Sequence, residues 1–262
     1  MPTAAGLPAP SGDQSHAPRC TAGGRLKVLT GVLAVTVAAA GAVAAPSAGA
    51  RNPPRVSPTQ ELAVLHKAHK VFSTPGVHQS RVRTIQAWRP ITGARTVLPV
   101  VGHATTAGGA QWLRVMVPGR PNGMKGWIAR RGTTSARTGW SIIVKTSSRR
   151  VRVYRRGRLV RSFAAVVGKP STPTPHGRFF VEESVRMLPG SAGAPYALAL
   201  SARSNVLQEF GGGPGQVAMH GVANLGGTPG TAISHGCVRL ANRHIRWLAA
   251  RIAPGVPITI TP

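Results

Sequence analysis

The chain has 262 residues, enough for one large domain or two modest ones that each bury a core. It carries 33 Lys and Arg against 5 Asp and Glu, a formal charge of +28, which draws polyanions such as nucleic acid, acidic lipid or anionic cell wall. The five acids, Asp13, Glu61, Glu182, Glu183 and Glu209, exclude a Ser-His-Asp triad in its usual form and starve any oxygen-ligand cation site. A paired-carboxylate hydrolase would have to use two of a few Glu. Any catalysis therefore falls to His, Cys, Ser, Tyr, Lys, Arg or backbone groups. The 32 Gly and 23 Pro point to a turn-rich, mainly β architecture.

In chain order, residues 1–50 read as a targeting segment. Arg25 and Lys27 precede an apolar run over 28–45, and Ala42-Val43-Ala44 and Ala48-Gly49-Ala50 both fit a small-x-small cleavage site. The segment is either a secretory signal with a long n-region or an uncleaved membrane anchor, the chain's one expected membrane contact. A start placed too early also accounts for the long n-region. In each case the remainder is expected to be exported, to the cell wall, the periplasmic space or the medium.

Residues 51–80 are Pro-rich and basic and read as a linker with one short helix around 62–71. Strands are expected over 82–88, 96–101, 112–117 and 126–129, separated by Gly/Pro clusters such as 118–123. Four short strands with tight turns over 81–135 suggest a small β-barrel. The segment WLRVMVPGRPNGMKGWI resembles bacterial SH3-like wall-associated modules.

A second unit is expected over 139–262. Its strands are read at 141–146, at 150–155 and 159–167 as a hairpin around Arg156-Gly157, and at 178–182 after a Pro-rich loop over 168–177. Asn242 is expected to cap a helix in which Ile245, Leu248, Ala249 and Ile252 fall on one face. Pro254-Gly255 stops it, and 256–260 closes the chain as a strand. His66, His69 and His78 lie in the linker without site periodicity. His244, Glu182 and Glu183 are expected to be solvated.

Of two cysteines, Cys20 precedes the apolar run, so Cys237 is the one thiol of the exported part. That excludes a disulfide within the exported part and a Cys-rich zinc site. Its setting is Ser234-His235-Gly236-Cys237-Val238-Arg239-Leu240, with His220-Gly221 seventeen residues upstream. A thiol needs a neighbouring imidazole, a cation or a helix N-terminus to become a good nucleophile, and this segment offers all three. Gly236 allows close approach of a substrate, and the N–H groups of His235, Gly236 and Cys237 are placed to cradle an oxyanion.

These residues resemble the L,D-transpeptidase (YkuD-type) catalytic domain, whose signature is a His-Gly pair followed at this distance by Ser/Thr-His-Gly-Cys-apolar-Arg. Pro173-Thr174-Pro175-His176-Gly177-Arg178-Phe179 is similar to the family's TPxGxF element, with His176 a small departure. The resemblance implies a β-sandwich or barrel with a C-terminal helix and an acyl transfer on peptidoglycan stem peptides. Cys237 would attack, His220 would serve as base and then acid, and the Gly221 carbonyl would orient that histidine. His235, Gly236 and Ser234 would shape the oxyanion pocket. Arg239 would hold a substrate carboxylate or brace the loop, and Tyr196 and Arg203 would line the donor groove. The same resemblance implies acylation of Cys237 by carbapenem-type β-lactams and a need for neither cofactor nor metal. Two other readings stand beside it. One is a non-catalytic wall-binding protein acting through its basic surface on anionic cell-wall polymers. The other is an exported nucleic-acid binder, which charge alone suggests, no motif supports and the targeting segment opposes.

Overall fold

The computed structural model describes residues 56–76, 81–210 and 213–262, so the targeting segment, His78 and Cys20 lie outside the described residues. Two large sheets account for nearly all of the regular structure. The first is built from β1 (Gln60–Leu65), β2 (His69–Phe72), β3 (Arg81–Ile85), β4 (Val97–Thr105), β5 (Gln111–Met116), β6 (Lys125–Ala129) and β7 (Thr133–Thr138), in the order β3-β2-β6-β5-β4-β1-β7. The linker and helix expected within 51–80 are thus replaced, from Gln60 onward, by two strands. The run Leu62-Ala63-Val64-Leu65 suits either element locally, and pairing decides it. Leu62 faces Pro99 of β4 on one side and Ala136 of β7 on the other, which makes β1 an interior strand.

The second sheet follows from β8 (Trp140–Lys145), β9 (Arg150–Arg155) and β10 (Arg158–Ala164), then the short β11 (Val167–Gly168), β12 (Gly177–Arg186), β13 (Tyr196–Arg203), β14 (Gln216–His220), β15 (Ala232–Ser234) and β16 (Val238–Arg239). The helix α1 (Asn242–Ala249) and β17 (Pro257–Thr261) complete it. The strand order is β10-β9-β8-β17-β12-β13-β14-β16, with β11 and β15 paired separately. The hairpin at Arg156-Gly157 is as expected: both residues have positive φ (49° and 76°), the geometry a two-residue type I′ turn needs.

The helix starts where expected but is capped differently. Its N-cap is Ala241, with no side-chain cap bond, and Asn242 Oδ1 instead accepts the Val222 N–H at 3.1 Å. Ile245 and Leu248 are fully buried and seat the helix on the core of the second sheet with Leu198, Leu240 and Ile252. His244 is half-buried rather than solvated, stacked on Phe163 with ring centroids 4.3 Å apart.

Strand β12 is where the two sheets meet, and the described residues belong to one compact unit. Because side chains alternate along a strand, Phe179 and Val181 enter the core of the second sheet while Phe180 enters the core of the first. Glu182 and Glu183 follow and are buried, contrary to expectation. Glu182 Oε1 accepts from Arg203 at 2.9 Å, and its Oε2 meets Arg89 of the first sheet's β3–β4 connection. Glu183 Oε2 accepts from Thr92 N–H and hydroxyl at 3.0 and 2.9 Å. Local sequence shows only a strand end there. The burial comes from a partner sheet more than eighty residues away.

Candidate active site

His220 ends β14 and Cys237 immediately precedes β16, the strand paired parallel to it. β14 pairs with β16 in the register Met219 to Val238 and His220 to Arg239, so the chain just before β16 lies beside Ala218. The Cys237 Sγ indeed accepts the Ala218 N–H at 3.4 Å. His220 Nδ1 donates to the Gly221 carbonyl at 2.8 Å, which leaves Nε2 as the lone-pair nitrogen of a neutral ring.

The signature loop is fastened from within. Ser234 Oγ donates to the Cys237 carbonyl at 2.6 Å and accepts the Gly236 N–H at 3.2 Å. Ser234 is fully buried, so it shapes the loop and does not meet a substrate. The expected three-donor cradle thereby loses its middle N–H. Gly236 has φ of +113°, a conformation that side chains strain, which is why glycine stands before the cysteine. From behind, Lys169 N–H and the Thr172 hydroxyl both reach the Ser234 carbonyl, at 2.9 and 3.2 Å. The 168–177 loop therefore supports the loop that carries the thiol.

Arg239 is buried and its Nη1 donates to the Gly226 carbonyl, while its Nε has no hydrogen-bond partner. It braces the 222–231 connection and places a positive charge near both Cys237 and His220. His235 is exposed and stacks on Phe210 with centroids 5.5 Å apart. Arg203 does not line a groove: its guanidinium donates to Glu182 and to the carbonyls of Leu200 and Ala202. Tyr196 is half-buried and borders a cavity of about 290 Å³ with Arg186, Asn242 and Arg246, a cavity that neither His220 nor Cys237 lines. Among the described residues no three His, Cys, Asp or Glu gather as a metal site would require.

With this geometry in view, the relationships are clear. Residues 139–260 match the model of the L,D-transpeptidase (YkuD) catalytic domain. Over 123 residues the chain is 34% identical to a putative L,D-transpeptidase YkuD of Bacillus licheniformis, covering 47% of this chain and 66% of that protein. Residues 139–260 belong to the YkuD family. Solved structures similar to the chain include an L,D-transpeptidase from Mycobacterium tuberculosis H37Rv, at 17% identity and TM-score 0.40, covering 64% of this chain and 91% of that one. Another is the L,D-transpeptidase LdtMt1 in complex with imipenem, at 18% identity and TM-score 0.40, covering 62% of this chain and all of that one.

Within the YkuD domain, burial sets the protonation states. It pushes the Cys237 thiol above its ordinary value, an effect that the Ala218 N–H and the Arg239 charge offset in part. Burial likewise holds the His220 imidazole below the usual histidine range; the Gly221 carbonyl bond opposes this and Arg239 adds to it. Both shifts favour a neutral thiol and a neutral imidazole over a preformed thiolate–imidazolium pair. A base must be unprotonated to act, so activity is expected to fall as pH drops through a midpoint below about 6.5. Iodoacetamide alkylation of Cys237 is expected to rise only on the alkaline side of the ordinary thiol range. Fast alkylation persisting into acid would show a preformed ion pair and contradict this assignment.

Sequence reasoning missed Gly193. It has φ of +85°, its N–H donates to the Ala223 carbonyl, and its carbonyl accepts the Gly221 N–H at 2.8 Å. A Cβ there would lie 2.6 Å from His220 Nδ1, so the absent side chain is what admits the ring. The small-residue run Ser191-Ala192-Gly193-Ala194 is its only local signal. Gly193→Ala is expected to displace the imidazole and lower Cys237 acylation by about 10-fold or more, as small misplacements of catalytic groups do, with the fold retained by circular dichroism. Acylation at the wild-type rate would show that the ring does not depend on this space.

Proposed function

We propose that this protein is a peptidoglycan L,D-transpeptidase with Cys237 as nucleophile and His220 as general base and acid. The observation that carries this reading is the His220 Nδ1 bond to Gly221, which turns Nε2 into the acceptor beside the strand that delivers the thiol. An enzyme that orients its histidine with a carbonyl needs no aspartate, and this chain has no Asp beyond Asp13.

In the first half-reaction Sγ attacks the carbonyl carbon of the third stem-peptide residue and the thiol proton passes to Nε2. The C–N bond to the terminal D-amino acid then breaks, its nitrogen takes that proton, and a thioester remains on Cys237. In the second, an acceptor amine attacks the thioester and gives its proton to Nε2. The C–S bond breaks and Sγ recovers the proton. Water in place of the amine yields an L,D-carboxypeptidase outcome. The N–H groups of His235 and Cys237 serve the oxyanion, and the exposed His235 and Phe210 rings form one wall of the substrate groove.

The 28–45 apolar run fits export to the wall, and the excess of arginine over acid fits anionic wall polymers as a docking substratum. The first sheet, SH3-like by its sequence, would then orient the catalytic sheet on that polymer. Carbapenem-type β-lactams present an acyl carbon to the same thiol and are expected to inhibit.

The test is incubation with a synthetic stem tetrapeptide. Release of the terminal D-amino acid, together with a protein species heavier by the tripeptide acyl group, is expected. A folded protein that releases nothing and gains no mass would move the assignment to a non-catalytic wall-binding protein.

A further inference from the structure

The turn between β5 and β6 reaches from the first sheet onto the chain that leads into the His220 strand. Gly119 N–H donates to the Ser201 carbonyl at 3.1 Å. Arg120 then spreads its guanidinium over three carbonyls: Ser204 and Leu207 from Nη2, at 2.8 and 2.9 Å, and Pro214 from Nη1, at 2.9 Å. Asn122 grips Arg203 at both ends, donating to its carbonyl at 2.7 Å and accepting its N–H at 2.8 Å. Arg83 of β3 holds the turn from the other side through the Pro118 and Arg120 carbonyls. The gathered carbonyls lie close: at Gly215, with φ of +62°, a Cβ would lie 2.1 Å from the Leu207 oxygen.

What Arg120 gathers is the connection that presents Phe210 to His235 and delivers Gln216, the first residue of β14. Among the described residues no acid pairs with Arg120; its partners are backbone carbonyls of that one connection. A planar fork with several donors suits such a task, whereas a lysine ammonium would satisfy fewer of the carbonyls at once.

We infer that Arg120 is a positioning residue for acyl transfer, through which the first sheet fixes the Phe210–His235 wall of the groove. The inference rests on the transpeptidase reading. The first sheet then has a role in the reaction itself and is more than a spacer or wall anchor. Because the clamp acts on the groove wall and leaves the Cys237–His220 pair in place, its loss falls on substrate binding.

The experiment compares the full chain with Arg120→Ala and Arg120→Lys, following acylation by a carbapenem over a range of concentrations and alkylation by iodoacetamide over a range of pH. For Arg120→Ala the half-saturating carbapenem concentration is expected to rise about 10-fold, with the maximal acylation rate within about twofold of wild type. Iodoacetamide, which needs only the thiol, is expected to give an unchanged pH profile. Arg120→Lys is expected to fall between the two. An unchanged half-saturating concentration in Arg120→Ala overturns the inference. So does an equal loss with both probes, which would mark Arg120 as a general brace of the fold. A wild-type protein that carbapenem does not acylate defeats the transpeptidase reading and the inference with it, whereas acylated wild type beside an indifferent Arg120→Ala defeats the inference alone.

Discussion

Cys237→Ala is expected to abolish release of the terminal D-amino acid, and His220→Ala to lower it by about 10²–10⁴-fold. In the proposed mechanism the two differ because the thiol sulfur bonds to the substrate, whereas the imidazole accelerates a proton transfer that hydroxide can still perform slowly. Burial raises the Cys237 thiol, so little thiolate exists at neutral pH without help. The same burial leaves His220 unprotonated and able to accept the proton. The signature of this division is the pH profile. In His220→Ala the residual rate should climb steadily with pH as the thiol ionises, where the wild type levels off above its acid limb. A His220→Ala enzyme that keeps the wild-type rate and profile would assign the base to another group.

The largest stability effect is expected at Glu182. The residue is 2% exposed, and its carboxylate receives Arg89 from the β3–β4 connection, Arg203 from β13 and Gln216 from β14. Glu182→Ala leaves Arg203, whose side chain is 12% exposed, without a counter-charge, and leaves Arg89, 13% exposed, with only the longer Glu183 contact at 3.6 Å. Removing one member of a buried ion network costs about 3–5 kcal/mol, because the remaining charges keep their desolvation penalty. The melting temperature is expected to fall by about 10 °C. The Glu61–His103 pair supplies the control. Its side chains are 32% and 57% exposed and solvent screens the contact, so Glu61→Gln is expected to change stability by less than about 1 kcal/mol. A Glu182→Ala protein as stable as Glu61→Gln would show that hydration reaches the network and that the sheets do not depend on it.

The candidate site is legible because its sequence pattern is local. His220-Gly221 and the run from Ser234 to Arg239 name a candidate nucleophile, base and orienting carbonyl in a short stretch; the fold pairs their strands and bonds His220 Nδ1 to the Gly221 carbonyl. The alternation of Val151 and Val153 with arginines, and the turn at Arg156-Gly157, likewise fix the β9–β10 hairpin from neighbours alone. What escaped is set at long range. Leu62 to Leu65 becomes a strand only because β4 and β7 flank it. Glu182, which local context assigns to solvent, is turned inward by Arg89 of the β3–β4 connection, and Arg203, which the family resemblance assigns to a groove, is held inward by Glu182. Gly193 clears room for the His220 ring from a strand connection 27 positions upstream. Arg120 shows the same limit. Its turn was visible as a Gly/Pro cluster, but its three carbonyl partners exist only once β13 and β14 are assembled.

The most direct test of the account is the intact mass of the protein after exposure to a carbapenem, for wild type and Cys237→Ala side by side. A single adduct of one carbapenem on the wild type, absent from Cys237→Ala, is the predicted result. No adduct on a folded wild type, or an adduct that survives in Cys237→Ala, would contradict the assignment of Cys237 as the acyl-bearing nucleophile.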